Sequence, residues 1–263
     1  MIPPGPPEPP FFAQFGEDRI LDEIFGHRSF GTCVEVGAND GVTDSMTYHF
    51  ELLGWKCILV EPIPELFLRI VENRKCISHN CAASSSEGEV TLSLAEGVPS
   101  MSTLEPTRGR LESIAKAGGK QRDLKVRSRT LDSILAESGV SDIDFISIDV
   151  EGHEMEVLEG FFIEKYCPGI VLIEDNSNAS DPTIPDFMKS KGYLIFKRTG
   201  VNDWYALKSN QELLPAGKTE SLLKARNRVA LEYRLAQRFA PVLPYVPNKL
   251  KPIIRKILGI SSN

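Results

Sequence analysis

The amino-acid sequence predicts an α/β fold, a doubly wound and mostly parallel sheet with an antiparallel edge hairpin. Three observations carry this. Short apolar runs alternate with helix-period patterns along the chain. The apolar runs are hydrophobic on both faces, as strands inside a parallel sheet require. The last helical pattern is followed by two strand patterns joined by a short turn.

The elements follow in order. Residues 1–10 form a proline-rich arm, extended in character and without the basic and apolar regions of a signal peptide. Gln14 to Phe25 reads as a helix with Ile20, Leu21, Ile24 and Phe25 on one face. Thr32 to Val36 is a strand ending in a glycine-bearing turn, Ser45 to Leu53 a helix, Cys57 to Glu61 a strand and Pro64 to Asn73 a helix. Cys76 to Ala83 reads as a third strand and Glu89 to Leu94 as a further strand-like run. Gly97 to Asp123 is a long polar insertion of weak pattern, containing Ser100–Thr103 and the basic pair Arg108 and Arg110. An insertion of that length is a lid over an acceptor pocket or a disordered segment. Thr130 to Glu137 is a helix, Asp144 to Asp149 a strand, Glu154 to Glu164 a helix, Gly169 to Glu174 a strand and Ile184 to Lys191 a helix. Tyr193 to Arg198 and Asp203 to Leu207 close the fold as a hairpin, with Trp204 and Tyr205 packed in its core, the alternative for the pair being to stack on a sugar. The expected organisation is an arm over 1–10, one domain over 11–210 and a basic helical extension over 211–263.

The chain has 263 residues, 41% hydrophobic and 25% charged, enough for one good core. The net charge of −6 hides an asymmetry: Lys218 to Asn263 carries ten Lys/Arg against two Glu, so the main body is strongly acidic. That body offers no basic face for nucleic acid. Five cysteines without CxxC or Cys/His spacing point to a reducing, cytoplasmic setting. No apolar stretch approaches the ~18 residues of a membrane span. In the extension, Leu222, Leu223, Val229, Leu235 and Phe239 interleave with arginines, and Lys249 to Ile260 alternates basic and apolar residues. Such a segment suits peripheral contact with the inner face of an anionic membrane, or packing on the core or on a second copy in a homodimer.

The first strand runs into Glu35-Val-Gly-Ala-Asn-Asp-Gly41. In a doubly wound sheet the ligand sits at the carboxyl ends of the strands, at the switch point. Gly37 and Gly41 allow a tight turn and close backbone approach. The GxxxG spacing differs from the GxGxxG of a dinucleotide site, which disfavours a dehydrogenase. Asn39 and Asp40 repel a pyrophosphate but suit a group bearing an ammonium and a carboxylate, the methionine end of S-adenosylmethionine. Glu61, followed by Pro62, ends the second strand about 20 positions after the loop, where an acidic residue accepts the ribose diol. Glu35 faces the cofactor or orients the loop. Ala82, at the end of the third strand, joins the expected cofactor contacts.

Here the sequence resembles the FkbM family of methyltransferases. The matching segments are Gln14-Phe-Gly-Glu-Asp18, Val34 to Gly41, Val60-Glu-Pro62, Thr130-Leu-Asp132 and Ile148-Asp-Val-Glu-Gly-His-Glu154, spread over roughly residues 11–207. The last, with Leu158-Glu-Gly160 after it, is the most specific; the glycine motif alone fits any class I methyltransferase. The resemblance implies a Rossmann-like class I methyltransferase that moves a methyl group from S-adenosylmethionine to a hydroxyl, often on a sugar or natural-product scaffold. It also implies cofactor contacts at Glu35, Gly37, Asn39, Gly41 and Glu61, with Asp149 near the methyl donor. The extension beyond about 217 lies outside the match.

A hydroxyl acceptor is a poor nucleophile at neutral pH and needs a general base or a cation. Asp149, Glu151 and His153 are the candidate catalytic residues, with His153 the leading base because it titrates near neutrality. The alternative for His153 is a structural hydrogen bond at a helix start, and Glu154 reads as a first-turn carboxylate favoured by the helix dipole. Asp149, Asp175 and Asn176 form a candidate Mg²⁺ set of hard oxygen ligands; Asp175-Asn176 also suits the start of a turn. The expected partner is a small-molecule or glycan acceptor. The competing reading is a catalytically inactive module that binds cofactor or glycan without turnover.

Overall fold

The structure is a computed structural model and describes residues 9–97, 102–104, 106, 112, 114–177 and 179–214. The arm up to residue 8, part of the polar insertion with Arg108 and Arg110, and the basic extension beyond residue 214 lie outside the described residues. The chain divides into two compact units, residues 1–174 and 175–263.

The first unit runs α1 (Glu17–Ile24), β1 (Thr32–Val36), α2 (Tyr48–Leu53), β2 (Lys56–Val60), α3 (Pro64–Asn73), β3 (Ile77–His79), β4 (Ala82–Ala83), β5 (Gly88–Glu96), β6 (Lys120–Arg129), α4 (Leu131–Glu137), β7 (Phe145–Ile148), α5 (Glu154–Glu159), α6 (Ile163–Tyr166) and β8 (Ile170–Glu174). The second holds α7 (Thr183–Ser190), β9 (Tyr193–Thr199) and β10 (Asn202–Leu207).

Five strands of the first unit lie in the order β3-β2-β1-β7-β8, and every pair among them is parallel. Their apolar character explains this: Val34, Ile58, Leu59, Phe145, Ile146, Val171 and Leu172 are fully buried. Each such side chain contributes about 1.5–3 kcal/mol relative to exposure. β1 is central, with Val36 opposite Val60 on one side and Ile148 on the other. The chain leaves β1 toward β2 and returns on its other flank as β7, so the switch point falls between β1 and β7. In the second unit, β9 and β10 pair antiparallel with a register shift between Trp204 and Tyr205. Both aromatics are buried there, and the Trp204 indole donates to Thr199 Oγ1 at 2.8 Å. The α/β class, with a mostly parallel strand set and an antiparallel hairpin, is the one expected.

Three elements differ from the sequence reading. The expected third strand over Cys76–Ala83 is two, because the Asn80 amide donates to the carbonyls of Glu61 and Pro62 and turns the chain away. β4 then pairs with β6 in a second sheet of order β4-β6-β5. β6 itself lies partly inside the polar insertion. The helix expected over Glu154–Glu164 breaks at Gly160, whose missing Cβ lets the Ser84 carbonyl approach: a Cβ there would lie 2.1 Å from that oxygen. Asp132 of the Thr130-Leu-Asp132 motif accepts the Phe162 N–H at 2.9 Å just beyond the break. No helix of the described residues is long and apolar enough to cross a membrane.

Candidate functional site

The carboxyl ends of β1, β2 and β7 meet at one cavity of about 300 Å³, lined within the first unit. Gly37 makes the meeting possible. It has φ +87°, and a Cβ there would lie 1.7 Å from the Asp149 carbonyl oxygen. Its N–H donates to the Val60 carbonyl at 2.9 Å, while the Asp149 N–H donates to Val36 at 3.0 Å. One glycine thus knits three strand ends together. Asn39 follows in the left-handed region at φ +52°, a conformation its short polar side chain tolerates.

Glu61 lies buried at the end of β2, and each of its carboxylate oxygens takes one backbone N–H. Oε2 accepts from Asn39 at 3.0 Å and Oε1 from Ile63 at 2.9 Å. Burial lifts its pKa to about 8, against the pull of those two donors. Beyond Glu61 the cavity becomes apolar: Ile63, Leu66, Ala82 and Leu92 belong to a buried cluster that joins β4, β5 and α3.

Behind the loop stands a polar frame. The buried Glu35 carboxylate accepts from Ser45 Oγ at 2.8 Å, the Met46 N–H at 2.8 Å and Thr47 Oγ1 at 2.5 Å. Burial raises its pKa, opposed by Arg74 and these donors. Of the two sequence-level roles for Glu35, orientation of the loop accounts for its hydrogen bonds. Arg74, which carried no sequence signal, donates to the Gly41 carbonyl at 2.6 Å and to Glu51 at 2.5 Å.

The acidic edge forms at β7 and β8. Ile148 stands opposite Ile173, so the next residues, Asp149 and Glu174, leave the sheet side by side. Carboxylate oxygens of Asp149, Glu151 and Glu174 all lie within 4.8 Å of one another. Glu174 is buried, with Oε2 in no hydrogen bond. Burial raises the pKa of Asp149, with Glu151 adding to it, and burial raises Glu174, with the Asp149 charge adding. Glu151 has φ +58°, a left-handed conformation uncommon for a non-glycine residue. Its carbonyl accepts from Thr103 Oγ1 at 2.7 Å, and Thr103 pairs with Ser93 of β5. The described part of the polar insertion therefore ties the acidic loop to the second sheet.

Glu35, Gly37, Asn39, Glu61, Pro62, Ala82, Asp149 and Glu151 all line this cavity. Asp40, Gly41 and His153 do not. The Asp40 carboxylate caps its own turn, accepting from Val42 N at 2.9 Å and Thr43 N at 2.7 Å. Gly41, at φ +79°, lies against Arg74 and Ile70. His153 is buried, hydrogen-bonded through Nε2 to Ser84 Oγ at 3.0 Å. It pins the acidic loop to the end of β4, off the cavity wall, which is the structural hydrogen bond that stood as the alternative to a role as base. Glu154 Oε1 accepts from Gly152 N at 3.0 Å and caps the same loop. Asp175 also departs from the metal-ligand assignment. Its carboxylate accepts from Ser177 N at 2.9 Å, Ala179 N at 3.1 Å and Arg198 at 3.0 Å within the second unit, and Asn176 is exposed. Glu151 and Glu174 are the carboxylates that gather with Asp149. Sequence reasoning missed Glu174, although strand-end register was a usable signal. It also missed Gln14, Thr43 and Asp44 on the cavity wall.

Residues 35–195 match the methyltransferase FkbM domain. No curated relative matches the chain. Among solved structures, the precorrin-6y C5,15-methyltransferase of Geobacter metallireducens is 12% identical with a TM-score of 0.40, covering 77% of this chain and 95% of that one. The fibrillarin/Nop5p complex gives 13% identity and a TM-score of 0.39 over 73% and 83%. An uncharacterised protein of Listeria monocytogenes gives 10% and 0.40 over 90% and 93%. At these scores the likenesses carry no functional argument.

Proposed function

The chain belongs to the FkbM methyltransferase family, which makes it an S-adenosylmethionine-dependent methyltransferase, and we propose that it methylates a hydroxyl of a glycan or natural-product scaffold. The observation that carries this reading is the acidic edge: three carboxylates within 4.8 Å of one another, in the same cavity as Gly37 and Glu61.

The residues present fit the cofactor. Gly37 brings the ends of β1 and β7 together at the cavity, Glu61 offers a buried diol acceptor, and the Ile63–Leu92 cluster offers an apolar seat for a flat base. S-adenosylmethionine supplies an electrophilic methyl group on a sulfonium when bound. The protein's own contribution is then positioning and proton removal. Asp149 ends β7 beside Gly37, and its carboxylate takes the proton of the acceptor hydroxyl. Glu151 sets a negative charge beside it, which keeps a proton attractive there, while Glu174 hydrogen-bonds to it.

Mg²⁺ is a second reading, favoured by the unpartnered buried oxygen of Glu174. Asp149, Glu151 and Glu174 would supply its protein oxygens, with waters completing the shell.

The test is titration with S-adenosylhomocysteine on wild type and Glu61→Ala, followed by transfer of labelled methyl to a panel of glycans before and after EDTA. Binding that Glu61→Ala removes, with label recovered as an alkali-stable methyl ether, supports the proposal. Full activity after EDTA keeps Asp149 as the base, whereas loss restored by Mg²⁺ makes the carboxylates ligands. Donor binding without transfer to any hydroxyl favours a non-catalytic module. Absence of binding overturns the donor site.

A further inference from the structure

We infer that Thr103 is a positioning residue for methyl transfer, whose hydroxyl reaches out from the second sheet and holds Glu151 in place beside Asp149; this rests on the reading of the acidic edge given above.

The loop after β7 turns back sharply. Glu151 at φ +58° and Gly152 at φ +104° are consecutive residues in the left-handed region, a conformation that glutamate adopts only when something holds it there. From the helix side, Glu154 Oε1 accepts the N–H groups of Val150 at 3.3 Å and Gly152 at 3.0 Å. From the other side, the Glu151 carbonyl accepts the Thr103 hydroxyl at 2.7 Å, across 48 residues of sequence. The carbonyl and the carboxylate belong to one residue, so release of the first displaces the second relative to Asp149.

Thr103 can hold the loop because it is itself fixed. It exchanges both backbone bonds with Ser93 of β5: Ser93 N–H donates to the Thr103 carbonyl at 2.9 Å, and Thr103 N–H to the Ser93 carbonyl at 3.1 Å. One residue earlier, Ser102 Oγ accepts from the Ala95 N–H at 2.9 Å. Ser93, Ser102 and Thr103 are all buried. Ser102 and Leu104 line the same cavity as Asp149, Glu151 and Glu174, and Leu104 packs against the Ile63–Leu92 cluster. Three consecutive residues thus join the apolar seat to the acidic edge. Proton removal from an acceptor hydroxyl depends on that placement, since a shift of about 1 Å in a reacting group can cost about a hundredfold in rate.

Four proteins separate this role from a structural one: wild type, Thr103→Val, which keeps the shape and loses the hydroxyl, Thr103→Ser, which keeps the hydroxyl, and Ser93→Ala. The Ser93 hydroxyl is buried in no hydrogen bond, so its removal alters the same anchor without touching Glu151. Each protein is titrated with S-adenosylhomocysteine by calorimetry. Hydrogen exchange of residues 149–153 is followed with that probe bound. Transfer of labelled methyl to the glycan panel is resolved into kcat and donor KM. Thr103→Val is expected to speed exchange of the loop about fivefold, the size of one hydrogen bond. Its kcat should fall about ten- to hundredfold, with S-adenosylhomocysteine affinity and donor KM within about twofold of wild type. Thr103→Ser and Ser93→Ala should stay within about threefold of wild type in every readout. Equal loss of donor affinity and kcat in Thr103→Val makes Thr103 a structural wall and overturns the inference. An unchanged kcat in Thr103→Val, or a loss shared by Thr103→Ser or Ser93→Ala, overturns it too and leaves the methyltransferase reading standing. A wild type that binds S-adenosylhomocysteine but transfers methyl to no hydroxyl removes that reading itself, and the inference with it.

Discussion

Arg74 and Glu35 are joined through two shared hydroxyls. Ser45 Oγ and Thr47 Oγ1 both donate to Glu35 Oε2, at 2.8 and 2.5 Å, and each lies 3.2 Å from a guanidinium nitrogen of Arg74. The two charges sit on separate elements of the first unit, and the turn after the glycine loop is threaded between them.

Arg74→Ala leaves Glu35 buried without its cation, an error that costs about 3–5 kcal/mol. The double variant Glu35→Gln/Arg74→Met removes both charges and is expected to recover a large part of that loss. Urea denaturation of the four proteins measures the coupling. Purely additive losses would show that the two residues do not act as a pair.

Glu61 gives donor affinity a pH dependence. Its pKa in the folded chain is about 8, above the ordinary 4.5, so the folded protein binds that proton more tightly than the unfolded chain does. The stability linked to this proton is fully present below about pH 4.5 and is lost as pH rises through about 8. Donor binding runs the opposite way, because the ionised carboxylate is the better acceptor for a diol. Affinity for S-adenosylhomocysteine should rise between pH 6 and 8 and level off above, with protons released on binding. Glu61→Gln should flatten the curve; a variant that keeps the wild-type slope would place the titration elsewhere.

Gly37→Ala puts a methyl group 1.7 Å from a backbone oxygen at φ +87°. Overpacking and left-handed strain together should cost about 3–5 kcal/mol. Gly139→Ala is the control: φ is +61° there but nothing lies within 4 Å, so only about 1–2 kcal/mol of backbone strain is expected. Similar losses at both sites would mean that close strand approach is not what requires Gly37.

His153→Gln removes the bond to Ser84 and should lower stability by about 1–3 kcal/mol. The pH profile of methyl transfer should keep its shape. Loss of its acidic limb in the variant would return His153 to the role of base.

The parallel strands were legible in the sequence because strands buried on both faces, such as Cys57–Glu61 and Gly169–Glu174, need continuous apolar runs. β6 was not, since Lys120–Arg129 alternates polar residues around only Leu124 and Val126. Gly37 and Glu61 were legible because a tight turn and a strand end leave local marks. Arg74 was not, because its role depends on a contact 33 residues away. The surroundings of His153 were not legible either: its neighbours in sequence are acidic, while Ser84, to which it is hydrogen-bonded, is 69 residues distant. Burial and pairing of that kind are properties of the assembled chain.

The flanking of β1 by β7 has a consequence for how the protein comes into being. Thr32 N–H binds Asp144 Oδ2 at 2.8 Å across 112 residues of sequence, and the Asp149 wall of the cavity is set by that same pairing. A chain emerging from the ribosome can form β1, β2 and α3 early, but it has no complete donor cavity until β7 has been made and has docked. Long-range parallel pairing is slow to form. Ligand affinity therefore rewards only the finished topology.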